Sequence, residues 1–416
     1  MTIDPESRLK EIPWLALAGI AEAVLTGVRR VLEGSPAERV LDRLLRGNRG
    51  WTASQRRVAA ESVFGVGLWR RRLAAELGEG AWGTTDPAFL LFALIHRLGG
   101  LGASEVSQLL GCQLPTSSPA DLSDFAVRYS FPDWIADQLR STFGAAASLV
   151  AASMNVPGPV VLRANRLRCT REQLSARLPS DGVSTTPCRF APDGLVVQGR
   201  ANLLGTGAHH DGWFEVQDEG SQLLGGLLQA RPGDVILDAC AGAGGKTLQL
   251  ASALNNQGTV YAWDPDLEKL RRLEVRAARA GATCVRILWA GIPADLLADR
   301  VLVDAPCSEL GTLRRGPDVR WRLEPDVVSR MAGLQTEILA RSASHLRSGG
   351  RLVYGTCTFT REENEAVVSR FLSSSSSDFA LRPLSEDPSL LRDGFLRPAP
   401  HLHDTDCFFG AVLERG

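Results

Sequence analysis

The chain has 416 residues, 44% of them hydrophobic, and a formal net charge of −1. This length exceeds what one compact core usually supports, so we expect two or three domains. No apolar run is long enough to cross a bilayer, and the N-terminus lacks the basic-then-apolar order of a secretory signal, so we expect a cytoplasmic protein without a membrane partner. The near-neutral charge is compatible with nucleic-acid binding, because a local basic face suffices for it.

The eight cysteines are scattered and include no C-x-x-C pair. In a long chain of this type the pattern argues against a disulfide framework and against a structural zinc site. We interpret His209 and His210 as a polar turn rather than a metal site. The sequence therefore predicts no bound metal.

Residues 1–150 are predicted to form an all-helical domain, because apolar residues recur at helical spacing and no segment alternates with period two. Ser35 with Glu38, and Thr52 with Gln55, have the spacing of capping boxes. Asp86, which precedes a proline, is typical of a helix start.

Residues 151–216 have mixed periodicity and are predicted to form a small α+β module. Its expected strands lie at 160–163, 195–197 and 214–216. A capped helix is expected to begin at Thr170.

Residues 217–416 alternate between short buried-type strands and helices, which indicates an α/β fold with a doubly wound, mainly parallel sheet. The expected strands lie at 235–238, 260–264, 285–288, 301–304 and 352–357. Ligands of such sheets bind at the carboxyl ends of the strands. We therefore expect Asp238, Asp264, Asp304 and Cys357, which end four of these strands, to converge on one crevice.

A glycine-rich loop at 238–247 lies between a predicted strand and a predicted helix. Glycines there let the backbone approach a ligand and expose amide donors, but the spacing is not that of a P-loop. Lys246 lies inside this loop, in a chain with lysine at only two other positions, 10 and 269. Asp264 ends the next strand, where an acid can bind ribose hydroxyls; the alternative is a plain helix N-cap. Together these features predict an adenosine-type cofactor.

Two cysteines, Cys307 and Cys357, lie at neighbouring predicted strand ends, and Asp304 is close to the first of them. This combination fits one reaction. A thiolate that adds to carbon 6 of cytosine makes carbon 5 enamine-like and able to accept a methyl group. Asp304 could hydrogen bond to ring nitrogen 3, and a second cysteine could assist release. A free thiol has a pKa of about 8.5, so the attacking cysteine needs an activating environment, which the sequence does not reveal.

Several motifs together resemble the Sun (Fmu, RsmB-type) RNA cytosine-C5 methyltransferases. They are 304–307, 314–318 with Trp321, 355–357, 362–364, 216–218 and 406–409. The helical N-terminus resembles the NusB-like domain of the bacterial members, so the similarity covers essentially the whole chain.

The resemblance implies a Rossmann-like S-adenosylmethionine-dependent methyltransferase domain at 217–416, preceded by a NusB-like domain and a small RNA-binding α+β module. It implies Cys357 as the nucleophile, Cys307 as the release cysteine and Asp304 as a base-pocket residue. RNA, with 16S rRNA first, is the implied partner, and we expect a monomer. S-adenosyl-L-methionine is the implied cofactor, expected at Cys240, Ala241, Gly242, Ala243, Gly244, Gly245, Lys246, Asp264 and Asp304.

The sequence departs from the family pattern at two places. Gly242 and Ala243 replace the usual Ala-Pro of the glycine loop. The run 289–291, Trp-Ala-Gly, stands where the family carries an acid that contacts the adenine, and Asp295 lies too far along to replace it. We still expect cofactor binding, with adenine held by stacking or by backbone contacts.

Arg314 and Arg315, with Arg320 and Arg322 after them, are candidate phosphate contacts; the alternative is a solvated loop with ion pairs to Asp318. Two other functions stay open from sequence alone. One is the same chemistry on tRNA or another RNA. The other is a non-catalytic RNA-binding or ribosome-assembly factor built on a methyltransferase scaffold.

Overall fold

The structure is a computed structural model that describes residues 4–78, 86–113, 120–374 and 378–416. The chain divides into two compact units. The first contains residues 1–157 and 312–325, and the second contains residues 158–311 and 326–416. No helix within the described ranges is both long and apolar enough to span a bilayer.

The described residues of the first unit form helices and the loops that connect them, with no strand among them. Its longest helix, α3, begins after Thr52, whose side chain and that of Gln55 form the predicted capping box. The box predicted at Ser35 is wrong. Helix α2 begins at Ala37 without a side-chain cap, and its first N–H donates instead to Asp318 Oδ2 at 3.2 Å. The helices are α1 Ala21–Leu32, α2 Ala37–Gly47, α3 Ala53–Glu76, α4 Pro87–Ala93, α5 Ala103–Leu110, α6 Phe125–Tyr129, α7 Asp133–Phe143 and α8 Ala147–Met154.

Residues 312–325 pack within the helical unit although they follow a strand of the second unit. Arg320 is completely buried and donates to Ser130 O and to Asn155 Oδ1, both at 3.0 Å. Its guanidinium also stacks 3.9 Å from the centre of the Phe131 ring. Arg320 is therefore a structural residue in this fold, and its predicted accessibility to phosphate is wrong.

The second unit contains a small antiparallel sheet with strand order β2-β3-β1-β4 in its described residues. Strand β2 was not predicted, because its residues are largely exposed and carry no apolar alternation. The elements are β1 Val161–Ala164, α9 Arg171–Arg177, β2 Ser184–Pro187, β3 Gly194–Gln198, α10 Gly207–His210 and β4 Phe214–Val216.

The larger sheet has the strand order β11-β12-β13-β9-β8-β5-β6-β7 in the described residues, with β10 paired to β13. Strands β5 to β9 pair in parallel, which confirms the predicted Rossmann-like α/β fold; β10 to β13 extend it in antiparallel fashion. Its strands are β5 Val235–Asp238, β6 Thr259–Ala262, β7 Val285–Ile287, β8 Ala298–Asp304, β9 Leu346–Thr356, β10 Phe379–Leu381, β11 Leu391–Arg392, β12 Phe395–Leu396 and β13 Phe409–Arg415. Its helices are α11 Glu219–Gly226, α12 Gly245–Ala253, α13 Leu267–Ala280, α14 Val327–Ala343, α15 Glu365–Ser374 and α16 Pro400–His403.

Asn165 joins the small sheet to the helices of the larger one within the second unit. Its Nδ2 donates to Gly212 O at 2.7 Å and to Ala280 O, at the end of α13, at 2.8 Å. Its Oδ1 accepts from Ser252 of α12 at 3.0 Å. Because Asn165 is 3% exposed, these bonds lie inside the unit and hold the two helices against the module.

Candidate active site

The glycine-rich loop connects β5 to α12 at the carboxyl edge of the sheet. Gly244 has a φ of +92°, and a Cβ there would lie 2.2 Å from Leu273 Cδ1 on α13, so only glycine fits. A Cβ at Gly242 or at Gly245 would meet nothing within 4 Å. One side of the loop therefore faces open space, which fits close approach of a cofactor to the backbone.

Asp264 lies two residues beyond β6 and fixes this loop. Its Oδ2 accepts from Gly242 N and its Oδ1 from Asp266 N, each at 2.9 Å. The N-cap of α13 is Asp266, not Asp264, so the plain-cap alternative does not hold. The Asp264 carboxylate stands beside the loop, a place from which an acid can bind ribose hydroxyls.

Asp238 is buried beneath the loop, at 1% exposure. Its Oδ2 accepts from Thr247 Oγ1 at 2.7 Å, whereas Oδ1 has no hydrogen-bond partner in the described part of the chain. Burial raises the pKa of this carboxyl from its ordinary range to about 7. A polar acceptor without a partner beneath an open glycine loop fits a ligand with donor groups, such as S-adenosylmethionine. In that case the backbone of 240–246 and Asp264 would hold the cofactor.

The side chains of two predicted cofactor-binding residues, Lys246 and Cys240, contact other residues of the chain. Lys246 Nζ lies 2.7 Å from Asp304 Oδ2 and 5.5 Å from the centre of the Phe408 ring. Lys246 thus joins the start of α12 to the end of β8. Burial raises the pKa of the Cys240 thiol, so this cysteine is a neutral group packed against the core.

The two predicted catalytic cysteines meet. Cys307 follows β8 and Cys357 follows β9, and because these strands pair in parallel the Sγ atoms come within 3.3 Å. The hydrogen bond to Cys307, burial, and the negative charges of Asp304 and Glu309 raise the pKa of Cys357 well above its ordinary value. Without substrate, Cys357 is therefore a protonated thiol.

A buried carboxylate, Glu363, ties the two cysteine loops together. It is 0% exposed and accepts from Ser308 N at 2.8 Å, Ser308 Oγ at 2.5 Å, Thr360 Oγ1 at 2.9 Å and Gln335 Nε2 at 3.0 Å. Ser308 Oγ is also 3.0 Å from Thr358 Oγ1, beside Cys357. The sequence included Glu363 in a motif but gave it no role, because two of the three residues that donate to it, Ser308 and Gln335, lie far from it in the chain.

The segment before β13 closes the same region. Gly311 N donates to Cys357 O, and Gly311 O accepts from Cys407 N, both at 3.0 Å. A Cβ at Gly311 would lie 2.4 Å from Cys407 O, so this close approach requires glycine. Phe408, next in sequence, is 6% exposed and carries the ring that faces Lys246.

The connection from β7 to β8 is short and contains no helix in its residues 288–297. Trp289, which stands where the resemblance implies an acid, is 45% exposed, and Asp295 is also exposed. An indole is therefore accessible at the carboxyl edge of the sheet, next to the strand that precedes Asp264.

The two candidate RNA-binding arginines lie in the helical unit. Arg314 is 7% exposed and lines a cavity of about 160 Å³ together with Arg8 and Glu61. Arg315 is exposed and lines the same cavity. Of these two arginines, Arg315 is the one whose side chain is exposed in the described structure.

Family models match two parts of the chain. The model described as "16S rRNA methyltransferase RsmB/F" matches residues 226–414. A ferredoxin-like domain model of RsmF/B-like methyltransferases matches residues 131–203.

Curated relatives match over most of the chain. The probable ribosomal RNA small subunit methyltransferase B of Synechocystis is 35% identical over 301 residues, which cover 69% of this chain and 67% of that protein. Ribosomal RNA small subunit methyltransferase B of Pseudomonas putida is 29% identical over 401 residues, covering 86% and 88%.

Solved structures share the fold. The crystal structure of PH0851 superposes with a TM-score of 0.77 at 26% identity and covers 97% of this chain and 99% of that one. A methyltransferase homolog from Pyrococcus horikoshii gives a TM-score of 0.62 at 27% identity, covering 70% and 97%.

Proposed function

Because the chain belongs to the RsmB/F family of 16S rRNA methyltransferases, we propose that it methylates carbon 5 of a cytosine in 16S rRNA through a covalent adduct with Cys357. The chain is an RNA methyltransferase that uses S-adenosylmethionine. The position of the methyl group and the adduct are the proposal. The observation that carries it is the 3.3 Å separation of the Cys307 and Cys357 Sγ atoms, beside the Lys246–Asp304 pair.

Adduct formation begins with the Cys357 thiol. The sulfur of Cys357 bonds to carbon 6, and the π-electron pair between carbons 5 and 6 moves to carbon 5. The proton of the thiol is transferred to ring nitrogen 3. The side chain of Asp304 is 30% exposed, and the Lys246 ammonium lies 2.7 Å from it. The carboxylate can accept that proton and the ammonium can donate one, so the pair can mediate the transfer. When bound, S-adenosylmethionine supplies the methyl group to carbon 5, and the proton on nitrogen 3 returns to solvent through the same pair.

Release requires that carbon 5 lose its proton while the bond between carbon 6 and sulfur breaks. The 3.3 Å contact between the two Sγ atoms suits a relay through Cys307. Cys307 donates its own proton to the departing sulfur of Cys357 and takes the proton from carbon 5, and the electron pair restores the double bond. Both thiols end the cycle protonated, as they began it.

RNA binding is assigned to the helical unit and to the small α+β module. The target cytosine must leave its stack to reach Cys357, so a loop or a helix end suits this site better than the middle of a duplex. We assign a phosphate contact to Arg315, which is exposed.

The test compares wild type, Cys357→Ala and Cys307→Ala on 16S rRNA that lacks the modification, with tritiated S-adenosylmethionine. We expect 5-methylcytosine from wild type, no product from Cys357→Ala, and a denaturation-resistant protein–RNA adduct that accumulates in Cys307→Ala. Cys240→Ala is the matched control and should still form product. If tRNA were methylated and rRNA were not, the proposed chemistry would stand but the substrate would be tRNA. Product formation by Cys357→Ala would refute the adduct.

A further inference from the structure

Besides Asp264, two arginine side chains bind the glycine-rich loop. Arg276 of α13 donates from Nη1 to Ala243 O at 2.6 Å. Arg163 of β1 donates from Nη2 to Gly245 O at 3.4 Å. Two carbonyl groups that flank Gly244 are thus bound by guanidinium groups, and one of these comes from the small sheet.

The orientation of Arg276 is set by Glu215 in β4 of the small sheet. Glu215 is 4% exposed, and its Oε2 accepts from Nη2 of Arg276 at 2.8 Å and from Nε at 3.2 Å. Its other oxygen accepts from Arg279. Because a guanidinium is planar, a carboxylate that binds Nε and Nη2 directs Nη1 to the opposite side, where Ala243 O lies.

The loop needs such a restraint. Gly242 and Gly244 both have positive φ values, +53° and +92°, and Ala243 between them is not a proline. A segment rich in glycine has much conformational freedom to lose, and ordering it upon ligand binding weakens the affinity. A restraint present before the cofactor arrives removes part of that loss.

We propose that Arg276, oriented by Glu215, is a positioning residue that preorganises the cofactor loop, so that the small sheet is part of the cofactor site. Arg276 acts through Ala243 O. The proposal requires S-adenosylmethionine as the cofactor and does not depend on which atom of the RNA is methylated.

The test measures binding of S-adenosylhomocysteine by calorimetry in the full-length protein. Arg276→Leu is expected to raise the Kd about tenfold, the effect of one charge-assisted hydrogen bond. Arg276→Lys keeps the charge beside Glu215 but cannot bridge both partners, and is expected to weaken binding less. Glu215→Gln should resemble Arg276→Leu. In methylation assays the KM for S-adenosylmethionine should rise, with kcat at saturating cofactor within about twofold of wild type.

Hydrogen exchange without cofactor supplies the second measurement. Amides of 241–247 should exchange faster in Arg276→Leu than in wild type. Arg272→Leu is the matched control, since Arg272 lies on the same helix, is exposed, and makes no hydrogen bond to the loop among the described residues.

Arg279→Gln separates positioning from a simple attachment of the small sheet, because Arg279 binds Glu215 and His209 but not the loop. The proposal would be overturned if Arg276→Leu bound S-adenosylhomocysteine and exchanged its loop amides as the wild type does. It would also be overturned if Arg276→Leu and Arg279→Gln lost the same amount of affinity for S-adenosylhomocysteine. Absence of S-adenosylhomocysteine binding to the wild type would refute its premise. Failure of the cytosine assay alone would leave it intact.

Discussion

The Sγ atoms of Cys307 and Cys357 lie 3.3 Å apart although 50 residues separate them in the chain. The pairing of β8 with β9 in parallel brings both loops to one edge of the sheet. The hydrogen bond between the two thiols is the largest cause of the raised pKa of Cys357.

Alkylation of Cys357 should therefore be slow at neutral pH and accelerate as the pH rises, since only the thiolate reacts and a raised pKa keeps the thiol protonated. Cys307→Ala removes the leading cause and should increase the rate of iodoacetamide labelling at pH 8. Mass spectrometry of the peptide containing Cys357 provides the measurement. Equal labelling rates in wild type and variant would contradict the role of Cys307.

Glu363→Ala should destabilise the second unit, because it leaves the buried donors of Ser308, Thr360 and Gln335 without their acceptor. The expected loss is about 3 kcal/mol, or a fall in Tm of roughly 6 °C. The matched control is Glu362→Ala, which removes the adjacent, exposed carboxylate. A Glu363→Ala protein with the Tm of the Glu362→Ala control would refute the assigned network.

Asp238 should make the protein less stable as the pH rises. Its pKa is raised from 3.8 to about 7 in the folded protein, so the folded state binds the proton more tightly. Stability from this group is fully present below pH 4 and is lost as the pH rises toward 7, by about 1.4 kcal/mol per pH unit between the two values.

Asp238→Asn removes this titration and retains an acceptor for Thr247. Urea unfolding at pH 5 and at pH 8 is the measurement. Wild type should lose stability relative to the variant between these two values. If the free energy of unfolding changed equally in both proteins between pH 5 and pH 8, the Asp238 carboxyl would not be buried in its protonated form.

Arg315→Ala should weaken RNA binding and lower the slope of log K against log salt by about 0.7 to 0.9, the effect of one lost phosphate contact. Arg314→Ala is the matched comparison. Because Arg314 is 7% exposed, its loss should act mainly on Tm rather than on the salt slope. Filter binding to a 16S rRNA fragment over a range of salt concentrations gives both slopes. The reverse pattern would assign the phosphate contact to Arg314.

The sequence by itself determined much of the local structure and which residues could carry the proposed chemistry. Strand β5 was predicted with its observed bounds, and the capping boxes at Thr52 and Thr170 are present. These features depend on residues within one or two turns of each other, and short-range periodicity and hydrogen bonding encode them. The convergence of Asp238, Asp304 and Cys357 followed from one further rule, that parallel strands end at the same edge.

Only the tertiary structure decided which partners these residues have. The start of α2 is capped by Asp318, 281 residues away, rather than by Ser35. Lys246 pairs with Asp304, and Arg276 donates both to Ala243 O and to Glu215 of the small sheet. Such contacts depend on how separate elements pack, and no local pattern specifies them. A buried charge must find a partner, but the packing of the core determines which one is within reach.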